Sequence, residues 1–189
     1  MRIFFCADSH FRHDNIRKYC HRPFTTVEEM DETIISNWNK VVGPRDTVYH
    51  LGDFAFVKDV KDTERYIQRL RGRIHLIPGN HDKKRVLTAR GFVVEPRLHS
   101  IKIAGTFIEL CHYSFRVWDR SHFGSWSLYG HSHGRLFDDP NLLSFDVGVD
   151  CNNFTPISYE EVKERMSRKI FVPLVRRPRG EIDEGDPGS

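Results

Sequence analysis

Short apolar segments alternate with longer amphipathic stretches along most of the chain. The short segments are rich in β-branched and aromatic residues and have the length of buried strands. The stretches between them place apolar residues at helical spacing, and this alternation favours an α/β fold. The predicted strands cover residues 3–7, 47–51, 73–77, 92–95, 99–103, 106–111, 125–129, 143–147 and 170–172.

The clearest helical pattern covers residues 26–42. Its apolar positions recur every three or four residues, so one face is expected to pack against a sheet. Thr25 and Glu28 have the spacing of a capping box at its start, and Gly43 and Pro44 would end it. The apolar residues of this face are Val27, Met30, Ile34, Trp38 and Val41.

Two further helices and one hairpin complete the predicted elements. One helix carries the apolar residues at 66, 67 and 70 and ends at Gly72, and another begins at Ser158, which forms a capping-box pair with Glu161. Only Ala104 and Gly105 separate two of the predicted strands, which indicates a tight turn between antiparallel strands. The sequence therefore predicts a mixed sheet or two stacked sheets rather than a purely parallel one.

The length of 189 residues fits one domain, which we place at residues 1–175. Residues 176–189 are rich in charged residues, Pro and Gly and are predicted to be a disordered tail. No apolar run approaches the roughly 18–20 residues of a membrane helix, and no signal peptide precedes the first strand, so we expect a cytoplasmic protein without a membrane partner. Four scattered cysteines are expected to be reduced, and a net charge of +3 excludes a general polycation.

Polar residues that can bind metals follow five of the predicted strands, at the point where each strand ends. Because ligands bind at the carboxyl edge of α/β sheets, these five segments could converge on one site. The residues of this set are Asp8, His10, Asp53, Asn80, His112, His131 and His133.

These seven side chains exceed what one metal ion needs. A single zinc ion takes about four ligands, whereas one carboxylate can bridge two ions. The set contains aspartates, an asparagine and histidines but no thiolate, which suits two divalent ions of the borderline class, with manganese favoured and iron, zinc or nickel as alternatives.

The motifs D-x-H, G-D, G-N-H-D, a single His and G-H-x-H occur in this order from residue 8 to residue 133. In this order they resemble those of the calcineurin-like metallophosphoesterases, particularly the small single-domain members of bacteria and phages. The resemblance implies a sandwich of two facing mixed β-sheets flanked by helices, with a dinuclear metal centre at the strand ends. It also implies a first metal held by Asp8, His10 and His133, a second held by Asn80, His112 and His131, and Asp53 as the bridge.

Such a centre favours hydrolysis of a phosphoester by attack of a metal-bridging hydroxide. His81 adjoins a predicted ligand and is the candidate for contacting the phosphate and protonating the leaving oxygen, because a histidine can donate a proton near neutral pH. Many family members have a second aspartate in G-D-x-x-D that orients this histidine, but here Phe56 occupies that position. Asp82 is the available substitute.

The segment between His112 and His131 is rich in aromatic and basic residues, which could stack on bases and bind phosphate. Arg116 and His122 are its predicted substrate contacts, and His13 could reach the first metal's surroundings or a substrate phosphate. The preferred substrate is therefore a phosphodiester of a nucleotide or of a nucleic acid, including one at the end of a nucleic-acid strand. The alternatives are a phosphomonoesterase or nucleotidase with the same centre, and a binding scaffold that has lost catalysis.

Overall fold

Two β-sheets face each other in the computed structural model, which describes residues 1–173. Within this range the strands are β1 Ile3–Cys6, β2 Thr47–His50, β3 Arg73–Leu76, β4 Phe92–Val94, β5 Leu98–Ile103, β6 Thr106–Cys111, β7 Trp126–Tyr129, β8 Ser144–Asp146 and β9 Ile157–Ser158. The helices are α1 Asp14–Tyr19, α2 Val27–Val41, α3 Val60–Arg69, α4 Lys84–Leu87 and α5 Tyr159–Ser167, with 3-10 turns at Ser121–Phe123 and Val149–Cys151.

Both sheets are mixed, as the sequence predicts. The first has the order β4-β3-β2-β1-β9, in which β1 to β4 are parallel and β9 is antiparallel. The second has the order β5-β6-β7-β8, in which only β5 is antiparallel to its neighbour. Parallel strands of one sheet end at the same edge, so the loops after β1, β2 and β3 are brought together, as are those after β6 and β7.

Strand β1 shows how the two cores are divided. Its side chains alternate between the faces of the sheet, and both faces are buried. Phe4 and Cys6 pack in the core that contains Trp38 of α2, whereas Phe5 and Ala7 lie in the second core with residues of both sheets. The predicted sandwich of two mixed sheets flanked by helices is therefore confirmed.

The N-terminal cap of α5 is the one predicted from the sequence, whereas the cap of α2 lies one residue later than predicted. Ser158 and Glu161 form the predicted capping box. At α2 the N-cap is Thr26, whose hydroxyl accepts a hydrogen bond from the Glu29 amide, while the Glu29 carboxylate accepts one from the Thr25 amide. The predicted pair of Thr25 and Glu28 was wrong. Thr25 with Glu28 and Thr26 with Glu29 have the same spacing, and only the backbone conformation shows which pair caps the helix.

The predicted strand at residues 170–172 is absent. The amides of Ile170 and Val172 instead donate to the carbonyls of Pro140 and Asn141, in the loop before β8. The predicted domain end at residue 175 and the predicted tail, residues 176–189, lie outside the described residues. No helix within residues 1–173 is long and apolar enough to cross a membrane.

Candidate metal centre

Residues 1–173 contain three groups of potential metal ligands, and Asp8, His10 and His133 form the first; a further group, Cys20, His133 and Asp150, shares His133 with it. In the first group, one ligand atom from each residue lies within 4.8 Å of the others. Asp8 and His10 follow β1 and His133 follows β7, so the group joins the two sheets. Oδ1 of Asp8 and Nε2 of His10 are buried and have no hydrogen-bond partner among residues 1–173, which is costly unless an ion binds there. The residues therefore fit a divalent cation.

The second group is formed by Asp53, His112 and His131, whose ligand atoms also lie within 4.8 Å of one another. Asn80 adjoins it, with its Oδ1 atom 3.1 Å from Nε2 of His112. Four of the predicted ligands are thus brought together from the loops after β2, β3, β6 and β7.

Asp53 belongs to the second group and also approaches the first. Its Oδ2 atom is 3.5 Å from Nε2 of His10 and 3.4 Å from Nε2 of His112. Its other oxygen accepts a hydrogen bond from the backbone N–H of His81, at 2.8 Å. One carboxylate oxygen therefore faces a histidine of each group.

Hydrogen bonds to the ring nitrogens aim these histidines. Nδ1 of His112 donates to the Leu51 carbonyl at 2.7 Å, and Nδ1 of His133 donates to the Asp150 carboxylate at 2.8 Å. Because a neutral imidazole carries one proton, Nε2 of each ring is left as the nitrogen with a free lone pair. When it is deprotonated, each ring is therefore the tautomer that can bind a metal through Nε2.

The backbone at the ligands is unusual. Asp8, His10, Asp53, His131 and His133 all have positive φ, between 49° and 67°. Residues other than glycine seldom adopt this left-handed conformation, and such strain is concentrated at functional sites. The strain is consistent with ligand positions that serve binding rather than folding.

Glycine at position 79 allows two of the ligand loops to touch. A Cβ atom there would lie 2.3 Å from Oδ1 of Asp53 and 2.6 Å from its backbone nitrogen. The G-N-H-D motif therefore needs its glycine because a larger residue would displace Asp53.

The buried ligands have strongly perturbed acidities. Burial raises the pKa of Asp8 to about 7, partly offset by His133 and His112. Burial also opposes ionisation of Asp53, but the hydrogen bond with His112 and the charges of His112 and His10 hold the pKa of this carboxyl well below its usual range. The pKa of His10 is far below its usual value, chiefly because the side chain is buried. Asp53 is thus ionised and His10 neutral, which are the forms that bind a cation.

His133 differs from His10. Burial opposes its protonation, but the hydrogen bond to Asp150, assisted by Cys20, raises the pKa of His133 to about 10. Arg22 holds Asp150 in turn, with Nε and Nη2 each 2.8 Å from a carboxylate oxygen. Neither Asp150 nor Arg22 is among the predicted site residues, and no motif in the sequence connects either residue to His133.

The two predicted catalytic residues have different surroundings. The His81 ring lies at the first group, with its centre 5.6 Å from that of His10 and 6.1 Å from that of His13. Asp82 is buried, and its two oxygens accept the backbone N–H groups of Asp53, Phe54 and Gly79. Among the described residues no hydrogen bond joins Asp82 to the His81 ring.

Of the predicted substrate contacts, only His13 is near the metal ligands. Its Nδ1 atom is 3.1 Å from Nδ1 of His10, and it lines the same cavity as His81. Arg116 is exposed and does not line that cavity, so the structure does not bring it to the centre.

His122 also lies elsewhere, in the 3-10 turn before β7. The neighbouring Arg120 packs over Phe107, five residues before His112 on β6 and so about 17 Å along the strand. The structure does not bring His122 to the ligands, because β6 and β7 are parallel and the chain after His112 returns to the opposite edge of the sheet before it enters β7.

The sequence matches a family model over residues 1–182, and that family is described as calcineurin-like phosphoesterase. An uncharacterised protein of Methanocaldococcus jannaschii, MJ1445, is 35% identical over 180 residues, which cover 92% of this chain and 96% of that protein. A crystal structure of a protein of unknown function from Aquifex aeolicus, AQ665, is similar with a TM-score of 0.68 and 26% identity, covering 86% of this chain and 98% of the other.

The family match spans all the strands and all seven predicted ligands, and the family implies divalent metal cofactors and a phosphoester substrate. The chain therefore belongs to the calcineurin-like phosphoesterase family and is a metal-dependent phosphoester hydrolase.

Proposed function

We propose that this protein is a dinuclear metal-dependent phosphodiesterase that acts on a nucleotide or nucleic-acid phosphodiester, with manganese as the favoured metal. One observation carries the dinuclear assignment: a single oxygen of Asp53 lies 3.5 Å from Nε2 of His10 and 3.4 Å from Nε2 of His112. A carboxylate shared in this way is typical of a bridge between two ions.

In this proposal Asp8, His10 and His133 hold one ion, Asn80, His112 and His131 hold the other, and Asp53 contacts both. Two divalent ions, when bound, supply hydroxide at neutral pH and neutralise charge on the phosphoryl oxygens. The filled ligand set argues against a scaffold without catalysis, because such a scaffold has no need of buried, unpaired ligand atoms.

His81 is the proposed proton donor to the leaving oxygen. Its backbone N–H is bound to Oδ1 of Asp53, which fixes the residue beside the proposed bridge, while its ring is half-buried and lines the cavity. A histidine in contact with solvent can carry a proton at neutral pH and release it to an oxygen of the bound ester. His13 lies on the same wall and is proposed to contact the substrate phosphate.

The cavity at the centre supports a substrate larger than phosphate. It has a volume of about 390 Å³ and is open to solvent, with Tyr19, Phe56 and Arg135 beside the histidines. A pocket of this size accommodates a nucleotide.

A cytoplasmic location remains a prediction of the sequence alone.

The test compares hydrolysis of bis-p-nitrophenyl phosphate, a diester, with that of p-nitrophenyl phosphate, a monoester, in Mn²⁺ and after chelation. We expect diester cleavage that is lost on chelation and falls about a thousand-fold in Asp53→Ala. His81→Asn should cost about 10²- to 10⁴-fold with a dinucleotide, whose alkoxide leaving group needs a proton, and less with bis-p-nitrophenyl phosphate, whose leaving group does not. Asp119→Ala, which removes an exposed carboxylate outside the cavity, should leave the rate unchanged.

A preference for the monoester would replace this proposal by the phosphomonoesterase or nucleotidase alternative. Binding of one ion per chain, measured by metal analysis of the active protein, would overturn the dinuclear assignment. Two bound ions without hydrolysis of either ester, or of nucleotide and nucleic-acid substrates, would favour a scaffold.

A further inference from the structure

Phe56 is an exposed aromatic residue within an otherwise buried segment. Residues 51–57 are buried except at this position, where 44% of the residue is accessible. The segment is fixed to the loop after β1, because the Phe56 amide donates to the Phe11 carbonyl at 2.7 Å. This attachment holds part of the aromatic ring at the surface, where a ligand can contact it.

The ring lies at the proposed reaction site. One face stacks on His13, with ring centres 4.4 Å apart and planes inclined by 16°, and the ring centre is 6.0 Å from that of His81. Phe56 also lines the cavity that contains the metal ligands. One ligand can therefore contact Phe56 and His81 at the same time.

The rest of this wall is suited to an aromatic anion. Tyr19 is 59% exposed and its ring meets that of His13 edge to face, at 6.5 Å. The guanidinium of Arg135 lines the same cavity and donates to the Tyr19 carbonyl, which ties a positive charge to the aromatic wall. Aromatic faces stack on bases of any sequence, and a nearby cation favours the attached phosphate.

We propose that Phe56 is the stacking surface for the base of a nucleotide substrate and so determines specificity for nucleotide over alkyl phosphoesters. This inference rests on the proposed function, because it places the base beside the phosphate that would bind at the metal centre. It gives a role to the residue that occupies the position of the second aspartate in G-D-x-x-D. His13 supports the ring from behind and keeps its outer face available to the base.

The test is direct binding to the metal-loaded protein, measured by calorimetry with AMP and with ribose 5-phosphate, which differ only in the base. Phe56→Leu keeps an apolar side chain of similar size but removes the aromatic face, and Phe56→Trp restores one. We expect Phe56→Leu to weaken AMP binding about five-fold or more and to leave ribose 5-phosphate binding within two-fold, while Phe56→Trp binds AMP at least as tightly as the wild type.

Phe171→Leu is the matched control, because Phe171 is 41% exposed and lies near Gly124 at the far edge of the second sheet. Equal effects of Phe56→Leu on the two ligands, or no effect on either, would overturn the inference. Neither ligand is a phosphodiester, so the proposed diesterase does not hydrolyse them during the titration. A protein that hydrolyses no ester but binds AMP through Phe56 would therefore contradict the proposed function and still support the stacking surface.

Discussion

Nδ1 of His133 and a carboxylate oxygen of Asp150 lie 2.8 Å apart, and this hydrogen bond connects a metal ligand to the interior of the fold. The Arg22 side chain, which is fully buried, binds both oxygens of Asp150 and also donates to the backbone carbonyls of Asp8 and Ser9. A single guanidinium thus sets the positions of His133 and the loop after β1 relative to each other.

Loss of the Asp150 carboxylate should weaken the first metal group selectively. In Asp150→Asn the His133 ring loses its charged acceptor, and partners of this kind are worth about 10- to 100-fold in metal affinity. We expect the affinity of one Mn²⁺ to fall by that factor while the second ion is little affected. The measurement is a titration of free Mn²⁺ by electron paramagnetic resonance.

Asp46→Asn is the control for this titration. Asp46 also binds an arginine that is distant in sequence, Arg2, but this pair lies outside the cavity. The substitution should change stability without changing metal affinity. A folded Asp150→Asn protein with two unaltered Mn²⁺ affinities would show that the bond to His133 is structural only.

Gly79→Ala should displace Asp53. The new methyl group would lie 2.3 Å from Oδ1 of Asp53, so the carboxylate or the loop must move. Misplacement of a reacting group by about 1 Å can cost about 100-fold in rate, and we expect at least this loss of diester hydrolysis. Gly43→Ala is the control, because its Cβ would lie 3.2 Å from the nearest atom, a side-chain oxygen of Asp46. Wild-type activity in Gly79→Ala would mean that the close packing of these loops is not required.

The convergence of the seven ligands could be predicted because each follows a strand, and parallel strands end at a common edge. The course of the chain between ligands could not. His122 lies between His112 and His131 in sequence, yet the connection travels to the opposite edge of the sheet before β7 begins. Asp150 was missed for the converse reason, since the chain that leaves His133 must pass through β8 before Asp150 returns to the His133 ring, and no local pattern records that return.

Asp31 should make the protein less stable as the pH rises from about 4 to about 6. Its buried carboxylate accepts hydrogen bonds from the Tyr66 hydroxyl and the Arg12 amide but has no ion pair among residues 1–173. Burial raises the pKa of Asp31 to about 6. The unfolded chain therefore releases this proton at lower pH than the folded chain, and the group stabilises the fold only while it is protonated.

The measurement is the free energy of unfolding by urea, in chelator, for the wild type and Asp31→Asn at pH 4 and pH 7. Because the amide introduced by Asp31→Asn does not titrate, the stability of the variant relative to the wild type should increase by up to about 3 kcal/mol over this range. Glu32→Gln is the control. The hydrogen bond between Glu32 and Arg69 lowers the pKa of Glu32, so this substitution should change the pH dependence of stability in the opposite direction. A constant difference between wild type and Asp31→Asn would contradict the assignment.

Asp82→Asn should separate a positioning role from a role in proton transfer. The two Asp82 oxygens accept backbone N–H groups of Asp53, Phe54 and Gly79, and an amide can offer only one oxygen to them. At least one buried donor is left unpaired, so we expect the free energy of unfolding to fall by about 1–3 kcal/mol and kcat to fall as Asp53 shifts.

The pH dependence of kcat in Asp82→Asn should keep its wild-type shape, because Asp82 does not contact the His81 ring. His81→Asn, in contrast, should abolish the decline at alkaline pH that deprotonation of a general acid produces. Both profiles are measured in Mn²⁺ with a dinucleotide substrate, because its alkoxide leaving group requires a proton. If Asp82→Asn instead moves that decline by a pH unit or more, the carboxylate acts on His81, as the sequence first suggested.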